Sequence, residues 1–241
     1  MRLETIYKRL DELSPFESQA SWDNSGLILG SLDQEISSVV LSIDIDEELL
    51  ERVEAGSLII THHPLIFSGI KSMDLTTYPS KLLAKMIEKK IANIAMHTNF
   101  DLSHLNSYVA QKVLKQRVLG QEDYLVYFDV ETSFDAFSEE VAKAFGLTHI
   151  KSVVAHERTI KRVALCTGAG ASMIREVEAD LFLTGDIKYH DAMEAKMLGL
   201  NMIDIGHFES ERFFGEILAE DLKNLGLTVI ISSSKNPFTY L

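Results

Sequence analysis

The sequence predicts an α/β fold made of two similar α/β domains, with largely parallel sheets flanked by helices. Three observations favour this fold. Apolar runs rich in β-branched residues alternate with helical patterns, the alternation occurs in two series, and no Gly/Ser-rich linker interrupts it. A length of 241 residues is sufficient for two domains that each bury a core.

The predicted elements begin with an amphipathic helix over residues 1–13. The first series then alternates strand and helix in SSVVLSID, DEELLERVEAG, SLIITHH, PSKLLAKMIEKK and IANIAMH. The second series has the same order in KRVALCTG, SMIREVEA, DLFLTGD, HDAMEAKMLG and NMIDIGH. Between the two series, a strand, a helix and a strand are predicted for YLVYFDVETS, DAFSEEVAKAFG and IKSVVAHE.

The two series resemble copies of one unit. VEAGSLIITHH corresponds to VEADLFLTGD, and AKMIEKKIANIAMH corresponds to AKMLGLNMIDIGH, with one residue fewer in each second member. This shared order predicts an internal duplication with domains of residues 1–120 and 121–241, divided where RVLGQEDY breaks the apolar pattern. The last predicted strand, LTVIISSS, is compatible with either domain.

Composition excludes several classes of protein. The net charge of -13 argues against binding to nucleic acids or anionic membranes, which requires a basic surface. A single cysteine, Cys166, rules out an intramolecular disulfide and suits a reducing compartment. The N-terminus does not resemble a signal peptide, and no apolar run approaches the ~18 residues of a membrane span. We therefore expect a soluble, cytoplasmic protein.

Histidines and a carboxylate follow two predicted strands of the first series. His62 and His63 end SLIITHHP, and Pro64 favours extended backbone at the preceding residue. Neighbours on an extended chain point apart, so this pair suits two ions rather than one. His97 and Asp101 follow the next strand, and the carboxyl ends of parallel strands share one edge of a sheet. The alternatives are that Asp101 caps the following helix and that His97 is a hydrogen-bonded residue at a strand end.

The second series supplies a further pair. His207 and Glu211 are spaced i, i+4, which places them on one face of a helix that begins near 207, although surface helices often show the same spacing. A two-metal site holds ions about 3.5–4 Å apart, and one carboxylate can bridge them. The mixed nitrogen and oxygen donors fit zinc, manganese, iron, cobalt or nickel. The predicted ligands of two divalent ions between the domains are His62, His63, Asp101, His207 and Glu211.

Three other segments carry candidate residues. In CTGAGAS, the amides at Gly168 and Gly170 could cradle a phosphate, or the segment is a plain tight turn. In TGDIKYHDA, Lys188 and His190 are candidate acid/base or substrate-binding groups, or an exposed helix start. In ASWDNSGLILG, a turn leads into a strand and Trp22 is expected to be packed.

With these residues assembled, the chain resembles the Nif-three-like dinuclear metal-binding family, also named GTP cyclohydrolase 1 type 2 homologs, in its short form. The resemblance is carried by WDNSGLILG, LIITHHPLIFSGIK, HTNFD, TGAGAS, LTGDIKYHDA, GHFESE and NPFTYL. One departure is DLSHLNS after Asp101, where relatives usually carry a glycine. The resemblance places the family's metal ligands on the same five residues and implies a ring-shaped hexamer.

The family name implies hydrolytic opening of the imidazole ring of GTP, with release of formate and formation of 7,8-dihydroneopterin triphosphate. His97, His190 and Lys188 would then transfer protons or hold the leaving group, and Lys71, Lys188 and the amides of Gly168 and Gly170 would bind the triphosphate. Two alternatives remain: a non-enzymatic, ring-shaped metal-binding protein of assembly or regulation, and a dimetal hydrolase that acts on another nucleotide or phosphoester.

Overall fold

The structure is a computed structural model that describes residues 1–223 and 226–239. Within these residues the chain forms two compact units, and each contains one sheet with flanking helices. The first unit is Met1–Ser103 with the described part of Phe214–Lys235, and the second is His104–Phe213 with the described residues from Asn236. The predicted α/β class with two sheets is confirmed.

Helices and strands alternate along most of the chain. The helices are α1 Leu3–Leu13, α2 Glu47–Arg52, α3 Ser80–Glu88, α4 Thr98–Phe100, α5 Asn106–Tyr108, α6 Phe134–Phe145, α7 Tyr189–Leu198, α8 His207–Glu211 and α9 Phe214–Leu222. The strands are β1 Gly26–Leu29, β2 Ser38–Ser42, β3 Leu58–Thr61, β4 Ala92–Ala95, β5 Gly120–Glu122, β6 Leu125–Thr132, β7 Lys151–Val153, β8 Ile160–Leu165, β9 Leu181–Thr184, β10 Asn201–Asp204 and β11 Thr228–Ile231. None of the helices in the described residues is both long and apolar enough to cross a bilayer.

The first unit is built on a sheet with the strand order β1-β4-β3-β2-β11. Strands β4, β3, β2 and β11 are parallel to one another, and β1 pairs with β4 in the antiparallel direction. Every residue of β3 and β4 is buried, which explains why these strands appear in the sequence as continuous apolar runs. Helices α2 and α3 cover the sheet with a core that includes Leu50, Leu83 and Met86.

The second unit is built on a sheet with the order β5-β6-β8-β9-β10-β7. Only β8, β9 and β10 are parallel to one another, while β5, β6 and β7 join in antiparallel pairs. This sheet is therefore more mixed than the expected largely parallel arrangement. The reason is local: two residues connect β5 to β6, and so short a connection permits only a hairpin.

The limits of the units differ from the boundary predicted near residue 120. The first unit stops at Ser103, and RVLGQEDY lies inside the second unit, where it leads into β5. The chain returns to the first unit at Phe214, and β11 extends its sheet beside β2. The first sheet is thus completed by a strand from the far end of the sequence, which decides the placement of LTVIISSS.

Four strands of each sheet have the same arrangement, as an internal duplication predicts. The order β1-β4-β3-β2 in the first sheet matches β7-β10-β9-β8 in the second, with three parallel strands and one antiparallel edge strand in each. One predicted helix of the second series is absent from the described residues: SMIREVEA forms only a 3-10 turn at Gly170–Met173. Length is not the cause, because the connections β8–β9 and β2–β3 are equally long and the second carries α2.

Candidate metal centre

The carboxyl ends of β3 and β4 bring four candidate side chains together in the first unit. His62, His63 and His97 each offer a ring nitrogen, and these three atoms lie within 4.8 Å of one another. Asp101 is 8% exposed, and its Oδ1 is 3.5 Å from Nε2 of His62. The shared sheet edge therefore gathers the residues that the sequence placed after two separate strands.

The rings of His62 and His63 diverge less than the sequence suggested. Their centroids are 5.1 Å apart, with an angle of 45° between the planes. Strand β3 ends at Thr61, so the alternation of an extended strand does not apply to the two residues that follow. His62 is fully buried beside Phe214, whose ring centroid is 5.3 Å away.

Asp101 lies within a helical segment rather than at a helix cap. This segment begins at Thr98, before the predicted start, and Asp101 is the first residue of a π-helical turn over Asp101–Leu105. A second π-helical turn follows at Val109–Val113. Such turns are uncommon and occur often at functional sites. The helix cap considered for Asp101 is therefore wrong, because its own N–H donates to the carbonyl of His97 inside the segment.

Four histidines share one arrangement of the imidazole ring. In each, Nδ1 lies within hydrogen-bond distance of a carbonyl or carboxylate oxygen: 3.0 Å from Met96 O for His62, 2.9 Å from Asp44 Oδ1 for His63, 2.7 Å from Asp23 Oδ1 for His97, and 2.8 Å from Asp186 Oδ2 for His207. Carbonyl and ionised carboxylate oxygens only accept, so Nδ1 carries the hydrogen and the neutral ring has its lone pair on Nε2. Histidines that bind metals almost always have such a partner on the second nitrogen.

Asp23 holds His97 in this arrangement. Its side chain is buried and also accepts hydrogen bonds from the backbone N–H of Thr98, at 3.1 Å, and from the Thr98 hydroxyl, at 2.5 Å. Burial alone would raise the pKa of the Asp23 carboxyl, but the hydrogen bonds from His97 and Thr98 outweigh burial and hold this pKa well below its usual range. The carboxylate is therefore ionised at neutral pH and fixes the orientation of the His97 ring.

In the second unit, His207 and Glu211 face each other on α8. The helix begins at His207, directly after Gly206 with its φ of 76°, and places His207 Nε2 3.1 Å from Glu211 Oε2. Glu211 is 2% exposed. The neighbouring Glu209 accepts instead from Asn236 Nδ2 at 2.7 Å.

The glycine loop of the second unit packs against Glu211. Gly168 has a φ of 64°, and a Cβ at this position would overlap Glu211 Oε1. Its N–H donates to Ser210 Oγ at 3.0 Å, and the N–H of Gly170 donates to Thr184 Oγ1 at 2.8 Å. Both amides thus have acceptors inside the protein, which disfavours the predicted phosphate cradle. The loop instead shapes the surroundings of a candidate metal ligand.

The other candidates lie on the surface. Lys71 is exposed in the connection between β3 and α3, and Lys188 and His190 are exposed at the start of α7. Their predicted roles remain predictions. Trp22 was expected to be packed, and this is wrong: it is 61% exposed, because the turn that carries it projects from the sheet edge beside His97.

Sequence reasoning missed the three carboxylates that orient the histidines. Asp44 follows β2 and Asp186 follows β9, while Asp23 precedes β1. The rule that the carboxyl ends of parallel strands share one edge of a sheet also applies to Asp44 and Asp186, so their position near the histidines could have been predicted. Nothing in the local pattern of WDNS marks Asp23 as the partner of a histidine 74 residues away.

Known proteins resemble the chain over nearly its whole length. The sequence profile of the family described as Duf34/NIF3 (NGG1p interacting factor 3) matches residues 1–237. The chain is 50% identical over 240 residues, the full length of both proteins, to a "GTP cyclohydrolase 1 type 2 homolog" of Campylobacter jejuni. It is 41% identical over 230 residues, 95% of this chain and 94% of the other, to a "GTP cyclohydrolase 1 type 2" of Helicobacter pylori. Its fold matches the crystal structure of the Staphylococcus aureus hypothetical protein SA1388 with a TM-score of 0.88 and 25% identity, covering 100% of this chain and 99% of that one.

Proposed function

Because the chain belongs to the Duf34/NIF3 family, we propose that it is a dinuclear-metal-dependent hydrolase with GTP cyclohydrolase 1 type 2 activity. The reaction opens the imidazole ring of GTP by hydrolysis, releases formate and gives 7,8-dihydroneopterin triphosphate. Two divalent transition-metal ions, of zinc, manganese, iron, cobalt or nickel, would be held by His62, His63, Asp101, His207 and Glu211.

The observation that carries this proposal is the shared arrangement of the histidine rings. His62, His63 and His207 have Nδ1 beside an oxygen acceptor, which directs the lone pair of Nε2 toward the candidate site. For His62 and His207, that Nε2 faces a carboxylate oxygen at 3.5 and 3.1 Å. Two electron-pair donors at such distances are compatible with a shared cation, so the donor set fits a metal.

Bound divalent ions would polarise the substrate and lower the pKa of a coordinated water molecule. The residues of the chain have separate tasks in this scheme. The His97 ring, held by the Asp23 carboxylate, would accept and return a proton at Nε2. Lys71, Lys188 and His190 would bind the triphosphate or the leaving group from the surface. Gly168 would keep the Glu211 carboxylate in place.

The assembly and location follow from the same proposal. We propose a homo-oligomer, a ring-shaped hexamer, which acts in the cytoplasm. The chain contains a single cysteine, Cys166, which is consistent with a reducing compartment. The net charge of -13 disfavours nucleic acid as a partner.

The test combines metal analysis with product detection. Purified protein supplied with each of the five metals should contain about two ions per chain and should release formate and a fluorescent pterin from GTP. Glu211→Ala should lower both metal content and activity, whereas Glu209→Ala on the same helix should retain both. His97→Ala should keep the metal and lose about 10²- to 10⁴-fold in rate, as removal of a general acid/base does.

Each contrary result rejects a defined part of the proposal. Less than one ion per chain under all five metals would reject the dinuclear site. A full metal complement with release of phosphate but no formate would reject the cyclohydrolase reaction in favour of a phosphoester hydrolase. A full complement with no turnover of GTP would reject enzymatic action on GTP and favour the assembly or regulatory role.

A further inference from the structure

Two exposed aromatic side chains stand beside His97 in the first unit. Trp22 is 61% exposed and Phe67 is 51% exposed. Their ring centroids are 5.9 Å apart, with 47° between the planes. Each contacts the His97 ring in a T-shaped arrangement, at 6.1 Å for Trp22 and 6.2 Å for Phe67. Large exposed aromatic surface at the rim of a candidate site is typical of a binding surface.

The positions of these two rings are fixed by polar contacts. Asp23, the residue after Trp22, bonds to the His97 ring and accepts from Ser25 Oγ at 3.0 Å. Asn24 Nδ2 donates to the carbonyl of Ile66, the residue before Phe67, at 2.6 Å. The turn that carries Trp22 is therefore tied both to His97 and to the segment that carries Phe67. These contacts place the segments that carry the two rings next to the histidine cluster.

We propose that Trp22 and Phe67 form an aromatic clamp, in which the exposed faces of the two contacting rings bind a planar heteroaromatic ring, such as a purine base, beside His97. This inference rests on the proposed function and assigns the binding of the base to two residues outside the metal ligands. Aromatic side chains stack on bases through their π faces, with an effect of about 5- to 150-fold in affinity per base. The chain has a net charge of -13 and therefore attracts the phosphates of a nucleotide weakly. We thus expect the base to contribute a large share of the binding free energy.

Intrinsic fluorescence tests the clamp directly, because Trp22 is the only tryptophan in the chain. Guanosine should quench this emission with saturation, and inorganic tripolyphosphate, which has no base, should not. Both probes are titrated into the metal-free and the metal-loaded protein. Quenching by tripolyphosphate but not by guanosine would overturn the clamp. So would an emission that changes with the protein concentration and not with guanosine, because Trp22 would then face another copy of the chain.

Variants separate the clamp from a general effect on folding. Phe67→Leu keeps the reporter and should weaken guanosine binding about tenfold, the effect expected for loss of one stacking partner. Leu75→Ala is the matched control, because Leu75 is 56% exposed on the same connection between β3 and α3 and should bind guanosine like the parent. By calorimetry, Trp22→Leu should weaken binding by about tenfold or more, and Trp22→Phe should restore most of it. Equal affinity in Phe67→Leu, Trp22→Leu and the parent would overturn the inference.

The outcomes for the clamp and for the proposed function are distinguishable. Guanosine binding that depends on Phe67, together with no release of formate from GTP, supports the clamp and rejects the cyclohydrolase reaction. Formate release with an unchanged KM for GTP in both Phe67→Leu and Trp22→Leu keeps the reaction and overturns the clamp.

Discussion

His207 Nε2 lies 3.1 Å from Glu211 Oε2, and the other nitrogen of the same ring lies 2.8 Å from Asp186 Oδ2. One imidazole is therefore placed between two carboxylates. With the hydrogen on Nδ1, the contact between Nε2 and Glu211 Oε2 joins two electron-pair donors, which repel each other unless a cation lies between them. A metal ion bound at this contact would therefore stabilise the protein.

Glu211→Gln should have opposite effects with and without metal. In metal-free protein, the new amide can donate to His207 Nε2, and a gain of about 1 kcal/mol would raise Tm by about 2–4 °C. In metal-loaded protein, the variant should lose the stabilisation by bound metal, which is about 2.7 kcal/mol at a metal concentration of about 100 times Kd, and with it the rise in Tm. Calorimetry with and without chelator measures both effects. Glu209→Gln, on the same helix, should follow the parent in both conditions.

Gly168→Ala should lower metal content more than its backbone strain alone explains. A left-handed backbone costs about 1–2 kcal/mol for a residue with a Cβ, and at Gly168 the Cβ would also displace the Glu211 carboxylate. Gly199→Ala is the control, because Gly199 has a φ of 70° and open space around its Cβ position. Elemental analysis measures the metal content of both variants, and unfolding measures their stability. Equal losses of metal in the two variants would contradict the role assigned to Gly168.

The carboxylates that orient the histidines should affect metal affinity without being ligands. Asp44→Asn and Asp186→Asn remove the negative charge beside Nδ1 of His63 and His207, and we expect metal affinity to fall about 10- to 100-fold. Competition with a chelator of known affinity measures the change. Glu47→Gln is the control, because the Glu47 carboxylate bonds to Lys81 and Lys85 on the surface. A loss of affinity in the control as large as in the other two variants would contradict the assignment.

Asp23→Asn should destabilise the protein in a pH-dependent way. The hydrogen bonds of the buried carboxylate lower its folded-state pKa below the usual value of 3.8. The ionised group therefore contributes stability that is fully present above about pH 5 and is lost as the pH falls below 3.8. At pH 7 we expect a loss of about 1.5–3 kcal/mol in the variant, the range for hydrogen bonds to charged groups. Urea unfolding between pH 7 and pH 3.5 should show the gap between parent and variant narrowing at the acidic end, and a constant gap would contradict this account.

Periodicity was sufficient for most of the fold, because buried parallel strands such as β3 and β4 appear as unbroken apolar runs. Periodicity was not sufficient where the connections between strands determine which strands pair. The hairpin of β5 and β6 and the pairing of β11 with β2 depend on the turn chemistry and on contacts between distant segments. A 3-10 turn at Gly170–Met173 stands where a helix was predicted, although the connection is as long as the one that carries α2, so length alone does not determine the element.

The part of the candidate site that could be predicted from the sequence follows from one rule: the carboxyl ends of parallel strands share one edge of a sheet. This rule placed His62, His63 and His97 together, and the i, i+4 spacing placed His207 beside Glu211. Hydrogen-bond partners such as Met96 O and Asp23 could not be predicted, since they depend on the paths of turns. The exposure of Trp22 has the same origin: a turn outside the sheet holds a large aromatic residue in solvent.

The position of β11 has a consequence for the order in which the protein forms on the ribosome. Its partner β2 precedes β3 to β10 in the chain, but Thr228–Ile231 is the last of the described strands to be synthesised. The strands of the second sheet are contiguous in sequence, from β5 to β10, and can pair earlier. Domains generally fold as units during synthesis. The nascent chain should therefore complete the second sheet before the first. Until β11 is available, β2 is an unpaired edge strand to which a chaperone could bind.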